Sequence, residues 1–324
     1  MEFFLPFQIP SFPFSISYAD KILFIGSCFS EEIGNKMKTF KFDVLQNPNG
    51  ILYDPESIAD ALLKYVQLKT YKEEDLFELN GLWHSWKHHS AFSAADKNEV
   101  LKNINGSLSR AHAFLKEAKF LIITLGTAFH YQLKINNANV ANCHKAPADF
   151  FTKELLDINK IKNSLSNSIS ALMVFNPELK IIFTISPVKH VRDGVVQNLR
   201  SKSRLIEASH AIIKQNKNSF YFPSYELVTE VLRDYRFYKN DLVHPNETAV
   251  DYVFSRFCNS LLNESSRTIM KEVKAVLSAV NHRPFFKESA AHQKFIKATL
   301  KQMIAIENQI PLIDFSKEKK VFLE

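Results

Sequence analysis

Glycine is scarce in this chain of 324 residues: there are 7, and the 12 prolines are spread along it. That composition excludes long flexible linkers and low-complexity arms. Cysteine is scarcer still. Cys28, Cys143 and Cys258 are far apart and odd in number, which excludes a disulfide framework and a CxxC metal site and suits a reducing compartment. No apolar run reaches the roughly 18–20 residues that a membrane helix needs. The N-terminal stretch MEFFLPFQIPSFPFSISYADK is apolar but broken by three prolines. It lacks a basic start and a small-residue cleavage site, so it is not read as a signal peptide, and the expected location is the cytoplasm. An arginine-rich stripe is missing too. The net charge of +7 comes from scattered lysines, so neither nucleic acid nor a membrane surface is an expected partner.

What is present suits a packed core. Hydrophobic residues make up 46% of the chain and charged residues 23%, and the 28 phenylalanines read as core packing. Apolar runs at 21–26, 42–46, 120–126, 180–186 and 219–223 are nearly continuous rather than alternating, as strands buried on both faces are. Helical patterns lie between them at 54–67, 103–118, 158–175 and 201–216, with a last one at 248–263. Such alternation predicts a parallel five-stranded sheet in a three-layer α/β/α sandwich of flavodoxin-like type. From 264 to 324 the pattern is helical and amphipathic with a lysine-rich end. The expected division is therefore a domain over 1–263 and a helical C-terminal extension over 264–324, a candidate homodimer interface.

In an open parallel sheet, ligands bind beyond the carboxyl ends of the strands. The polar residues gather there: Gly26-Ser27-Cys28 after the first run, NPNGILYDP at 47–55 after the second, GTAFH at 126–130 and SPVKH at 186–190. Before the final helix comes NDLVHPNE, with Asp241 and His244 three apart. An aspartate so placed can orient the imidazole and leave its other nitrogen free to take a proton from a hydroxyl. With Ser27 as nucleophile this gives a triad of Ser27, Asp241 and His244, recognised by roles rather than order. The plain alternative is a helix-capping Asp241 and a surface His244. Cys28 next to the serine is expected to pack beneath the helix, as free cysteines tend to be buried.

The segment LWHSWKHHS at 82–90 reads as an insertion loop. His84, His88 and His89 there lack a nearby carboxylate or cysteine to complete a zinc site. Trp86, His88 and His89 are instead expected to wall the substrate site, with His190 aimed at it by Pro187. A structural loop with satisfied histidines is the alternative, and it applies to His144 as well. No cofactor or metal is expected.

The motif KILFIGSCFSEEIG, followed by NPNGILYDPESIADAL, LFELNGLWHSWKHHSAFS, LIITLGTAFHY, ANCHKAP, FTISPVKHVRDG and DYRFYKNDLVHPNE, resembles the GSCFA family, with Ser30 in place of the final alanine. That family is similar to SGNH (GDSL-type) hydrolases. The resemblance implies an esterase-like enzyme whose oxyanion is received by the backbone of Ser27 and of Gly50. It also implies an asparagine after the third strand, where this chain has Gly126-Thr127-Ala128-Phe129; Thr127 is the candidate replacement donor. The expected activity is a serine hydrolase removing acetyl or another short acyl group from a carbohydrate or small-molecule ester. The alternatives are an O-acyltransferase using the same triad and a non-catalytic carbohydrate-binding or scaffold protein.

Overall fold

The computed structural model describes residues 6–323 and gathers the apolar runs into one parallel sheet. In chain order the elements are β1 (Ile22–Gly26), α1 (Cys28–Thr39), β2 (Val44–Gln46), α2 (Pro55–Gln67), β3 (Phe77–Leu79), β4 (Leu82–His84), α3 (Lys97–Glu117), β5 (Phe120–Leu125), β6 (Phe129–Leu133), β7 (Asn139–Val140), β8 (Phe151–Leu155), α4 (Ile158–Phe175), β9 (Lys180–Ile185), α5 (Val195–Gln215), β10 (Ser219–Tyr221), α6 (Ser224–Glu226), α7 (Glu247–Leu261), α8 (Glu264–Val280), α9 (Ala290–Gln309) and α10 (Ser316–Leu323).

The sheet order is β2-β1-β5-β9-β10, and every neighbouring pair is parallel. This is the flavodoxin-like order. Its switch point lies between β1 and β5, where the chain leaves the centre in both directions and a crevice opens at the strand ends.

Apolar side chains alternate between two packed faces even though each run looks continuous, because successive strand residues point opposite ways. Leu23, Ile25, Leu121, Ile123, Ile181 and Phe183 pack under α2, α3, α4 and α5, through residues such as Leu62, Ile104, Leu165 and Leu205. Ile22, Phe24, Phe120, Ile122 and Ile182 face the other side with Ile33 and Met37 of α1 and Val253 and Phe257 of α7. Helix starts follow from local chemistry. Asp54 accepts the Ser57 N–H at 3.0 Å and is followed by Pro55, whose missing N–H costs nothing at that position.

Several boundaries differ from the sequence reading. Helix α3 starts at Lys97, capped by Asp96, rather than at 103, and α5 starts at Val195 rather than at 201. Residues 82–90, expected as an insertion loop, instead begin with β4 of the β3–β4 hairpin. An antiparallel sheet, β7-β6-β8, lies in the stretch between β5 and α4.

The C-terminal helices bury their apolar faces against their own chain. Ile269, Val273, Val276, Met303, Ile306, Ile313 and Phe315 belong to the same cluster as β1 and α7. The Lys41 ammonium after α1 meets Glu318 at 2.5 Å and lies 5.3 Å above the Phe315 ring. Phe315 is fully buried, so Phe315→Ala is expected to cost about 3–5 kcal/mol, read as a lower urea midpoint in a single transition. A loss below about 1 kcal/mol would mean that this segment is not part of the shared core.

Candidate active site

The turn after β1 is fixed from several sides. The Gly26 N–H donates to Asn47 Oδ1 at 2.9 Å, and its carbonyl accepts from Leu52 N–H at 3.0 Å. Gly26 has φ +136°, and a Cβ there would stand 2.1 Å from the Thr124 carbonyl oxygen, so only glycine fits. Ser27 follows as the N-cap residue of α1, but its side chain makes no capping bond. It is fully buried, and Oγ has no hydrogen-bond partner among the described residues. A Cβ on Gly126 would lie 3.3 Å from Ser27 Cβ, so the serine tucks against the end of β5. Cys28, the first residue of α1, is partly exposed.

On the facing loop, His244 Nδ1 lies 2.7 Å from Asp241 Oδ2. Asp241 Oδ1 accepts the N–H groups of Val243 at 2.9 Å and His244 at 3.0 Å, across a left-handed Leu242 with φ 56°. Those N–H donors, and then the His244 ring, hold the Asp241 carboxyl well below its usual range. An ionised Asp241 accepts a hydrogen bond from Nδ1–H, which holds the imidazole in that tautomer and leaves the Nε2 lone pair available as a base. Asn246, not Asp241, caps α7, by accepting the Ala249 N–H at 3.1 Å.

A cavity of about 540 Å³ opens at the carboxyl ends of β1, β5 and β9, and its walls include Cys28, Tyr53, Thr127, Tyr131, His190 and His244. His190 is held neutral: burial, with Lys202 and His244 nearby, pushes it down to about 3. Its Nε2 has no partner among the described residues, and its ring packs edge-on against Tyr53.

Of the residues expected at the site, Thr127, His190 and His244 line this cavity, and Asp241 stands behind His244 on the wall of an adjoining groove. Ser27, Gly50, Trp86, His88 and His89 are not on its wall. Gly50 is a turn residue with φ +75°, where a Cβ would meet His89 Cβ at 2.2 Å. Trp86 stacks on Phe77 at 3.5 Å, and its carbonyl accepts the Ala141 N–H at 2.8 Å, propping the segment that lines the cavity. His88 is buried against Tyr71 and pushed down to about 3 by desolvation. His144 is pushed down to about 4 for the same reason, and its Nε2 meets the Ser85 carbonyl at 2.9 Å. Among the described residues no group of three histidines, cysteines or carboxylates could hold a metal.

The expected oxyanion donors are already engaged. Ser27 N–H donates to Thr124 O at 3.1 Å, Gly50 N–H to Asn47 O at 2.7 Å and Thr127 N–H to Tyr53 O at 3.0 Å. The Thr127 hydroxyl pairs with Ser201 Oγ at 3.1 Å and accepts the Phe129 N–H. The first N–H groups of α1 have no intrahelical acceptor. Those of Cys28 and Phe29 lie against the Cys28 sulfur and counter the burial that raises its thiol pKa.

Lys202 was not legible as a site residue. It is fully buried, and its ammonium donates to Gly126 O at 2.5 Å and Ser186 O at 2.7 Å, joining the ends of β5 and β9. Within α5 it reads as one more helix lysine. The buried pair Asp54–His130, at 3.1 Å beside the cavity, was equally hidden, since its partners are far apart in sequence.

The family model for the GSCFA family matches residues 21–257, and that for the GSCFA C-terminal domain matches residues 273–324. The chain belongs to the GSCFA family. No curated protein matches it. Among solved structures it is similar to an acetyl xylan esterase from the rumen bacterium Butyrivibrio proteoclasticus, with a TM-score of 0.38 and 11% identity over 75% of this chain. That match spans 64% of the esterase, less than two thirds of its length. The chain is also similar to a carbohydrate esterase family 3 protein from Talaromyces cellulolyticus, with a TM-score of 0.37 and 10% identity over 79% of this chain and 99% of that one.

Burial pushes Lys202 from an ordinary 10.5 down to about 7. Between those values the unfolded chain holds a proton that the folded chain has released, so folded stability rises with pH. Lys202→Met removes that dependence. Urea unfolding should show the wild-type-minus-variant stability growing by about 1.4 kcal/mol per pH unit above pH 7. A difference that stays flat from pH 6 to pH 9 would mean that Lys202 is charged throughout.

Proposed function

We propose that this GSCFA protein is an ester hydrolase that works by covalent acyl transfer, removing a short acyl group such as acetyl from a carbohydrate ester. The observation that carries the reading is the Asp241–His244 pair, with Nδ1 bound at 2.7 Å and His244 on the wall of a cavity at the sheet's switch point. In this reading a nucleophile on the turn Gly26-Ser27-Cys28 attacks the acyl carbon. His244 Nε2 takes its proton and gives it to the departing sugar oxygen. Water then enters with His244 as base, and the carboxylic acid leaves. Asp241 fixes the imidazole and stabilises its charged form. A neutral His190 and the ring of Tyr131 supply a hydrogen-bonding and an apolar wall for the ester.

The test is acetate release from acetylated sugars and from p-nitrophenyl acetate. His244→Ala and Asp241→Asn are each expected to slow turnover by about 10²–10⁴-fold. Both side chains are nearly half exposed, so each variant should still unfold in a single transition, with any drop in melting temperature far too small to account for the lost turnover. The asparagine can keep the turn's acceptor for the Val243 and His244 N–H groups but cannot accept a charged hydrogen bond from Nδ1. Wild-type turnover in His244→Ala would remove the proposal.

A further inference from the structure

Two hydroxyl or thiol groups stand side by side on the turn after β1, and only one can serve His244. We infer that Cys28, and not Ser27, is the nucleophile of this site. The inference rests on the hydrolase reading above and deepens it.

The geometry separates the two residues. Ser27 is fully buried, its Cβ is packed toward Gly126, and it is on the wall of neither crevice that His244 lines. Its backbone N–H is spent on Thr124 O, so a Ser27 adduct would also lack the usual donor from the nucleophile's own peptide. Cys28 and His244 share both the main cavity and the small crevice beneath it, between Val188, Lys239 and Pro245. Cys28 also opens α1, a helix that runs from Cys28 to Thr39. The N–H groups of Cys28 and Phe29 are then left at the positive end of the helix, beside the sulfur, where a developing oxyanion can be received.

The step balances without any further reactant. The Cys28 S–H proton passes to His244 Nε2 as sulfur bonds to the acyl carbon, and the carbonyl oxygen takes the negative charge. The C–O bond breaks, and the His244 proton goes to the alkoxide, releasing the alcohol and leaving a thioester. Water attacks the thioester and gives a proton to His244. The C–S bond breaks, the acid leaves, and the thiolate recovers its proton from His244. Burial, with Glu31 and Glu32 nearby, keeps the resting thiol protonated, so attack depends on His244 rather than on a preformed thiolate.

The experiment is acylation of the full-length chain with p-nitrophenyl acetate, acid quench and peptide mass spectrometry. It is run on wild type, Ser27→Ala, Cys28→Ala and His244→Ala, with folding of each checked by thermal melting. The expected result is acetyl on Cys28, released by neutral hydroxylamine as a thioester is. It should persist in Ser27→Ala and form at least about tenfold more slowly in His244→Ala. Cys143, also on the cavity wall, is the internal control and should acylate no faster in wild type than in His244→Ala. Acetyl on Ser27, stable to neutral hydroxylamine and retained in Cys28→Ala, would overturn the inference and leave the hydrolase reading standing. Acylation of Cys28 that ignores His244 would show mere reagent access and also overturn it. No acyl adduct on either residue, with ester turnover indifferent to every variant, would remove both.

Discussion

The carbonyl oxygen of Thr124 occupies the space where a side chain on residue 26 would begin, 2.1 Å from that position. Strand β1 can therefore run alongside β5 to its last residue only because that residue is glycine. At φ +136° the chain turns sharply off the sheet, and Thr124 O takes the Ser27 N–H in the same contact. The placement of both side chains on the turn depends on this. Ser27 is driven inward against Gly126, and the next residue, Cys28, begins α1 beside the cavity. A bulkier residue at 26 would push the two central strands apart and misplace both.

A second constraint holds the opposite rim. Lys202 brings a nitrogen into the interior with no carboxylate partner among the described residues and binds the carbonyls of Gly126 and Ser186. Those two oxygens end β5 and β9, where no further strand pairing can satisfy them. Burying an unpaired charge is costly, so the group is driven toward its neutral amine, which still carries two donors. The strand ends around the cavity are thus closed by side chains: Asn47 on Gly26, Lys202 on Gly126 and Ser186.

The sheet was legible because its central strands are buried on both faces. Runs such as FLIITL and KIIFTI leave no room for another reading, and helix starts such as Asp54-Pro55 carry their own chemistry. The Asp241–His244 pair was legible for a different reason: its geometry is local, set by a three-residue spacing and a tight turn. What failed to show was long-range. Whether Ser27 or Cys28 faces the cavity is decided by contacts with β5, far along the chain. Trp86, His88 and His89 looked like a binding wall by residue type, yet Phe77, Tyr71 and Gly50 claim their faces. The small sheet β7-β6-β8 escaped because FHYQL and FTKEL are short and half polar, a pattern that pairing resolves and periodicity alone does not.

Catalysis by proton transfer would need the proposed base, His244, as firmly held as its nucleophile, and His244 sits on a loop. That loop is stiffened in its own plane: the Lys239 N–H donates to His244 O at 2.7 Å, and Tyr238 pairs with Pro245. It is tied to the sheet by Lys189, whose N–H donates to Val243 O at 3.2 Å while its ammonium rests over the rings of Tyr235 and Tyr238. Lys189 follows the end of β9, one residue before His190. The segment that anchors the His244 loop therefore also carries the neutral histidine of the cavity, so a displacement of His244 away from Cys28 would draw His190 with it. The two walls of the site are coupled through one short stretch of main chain, while the turn after β1 is fixed independently by the sheet.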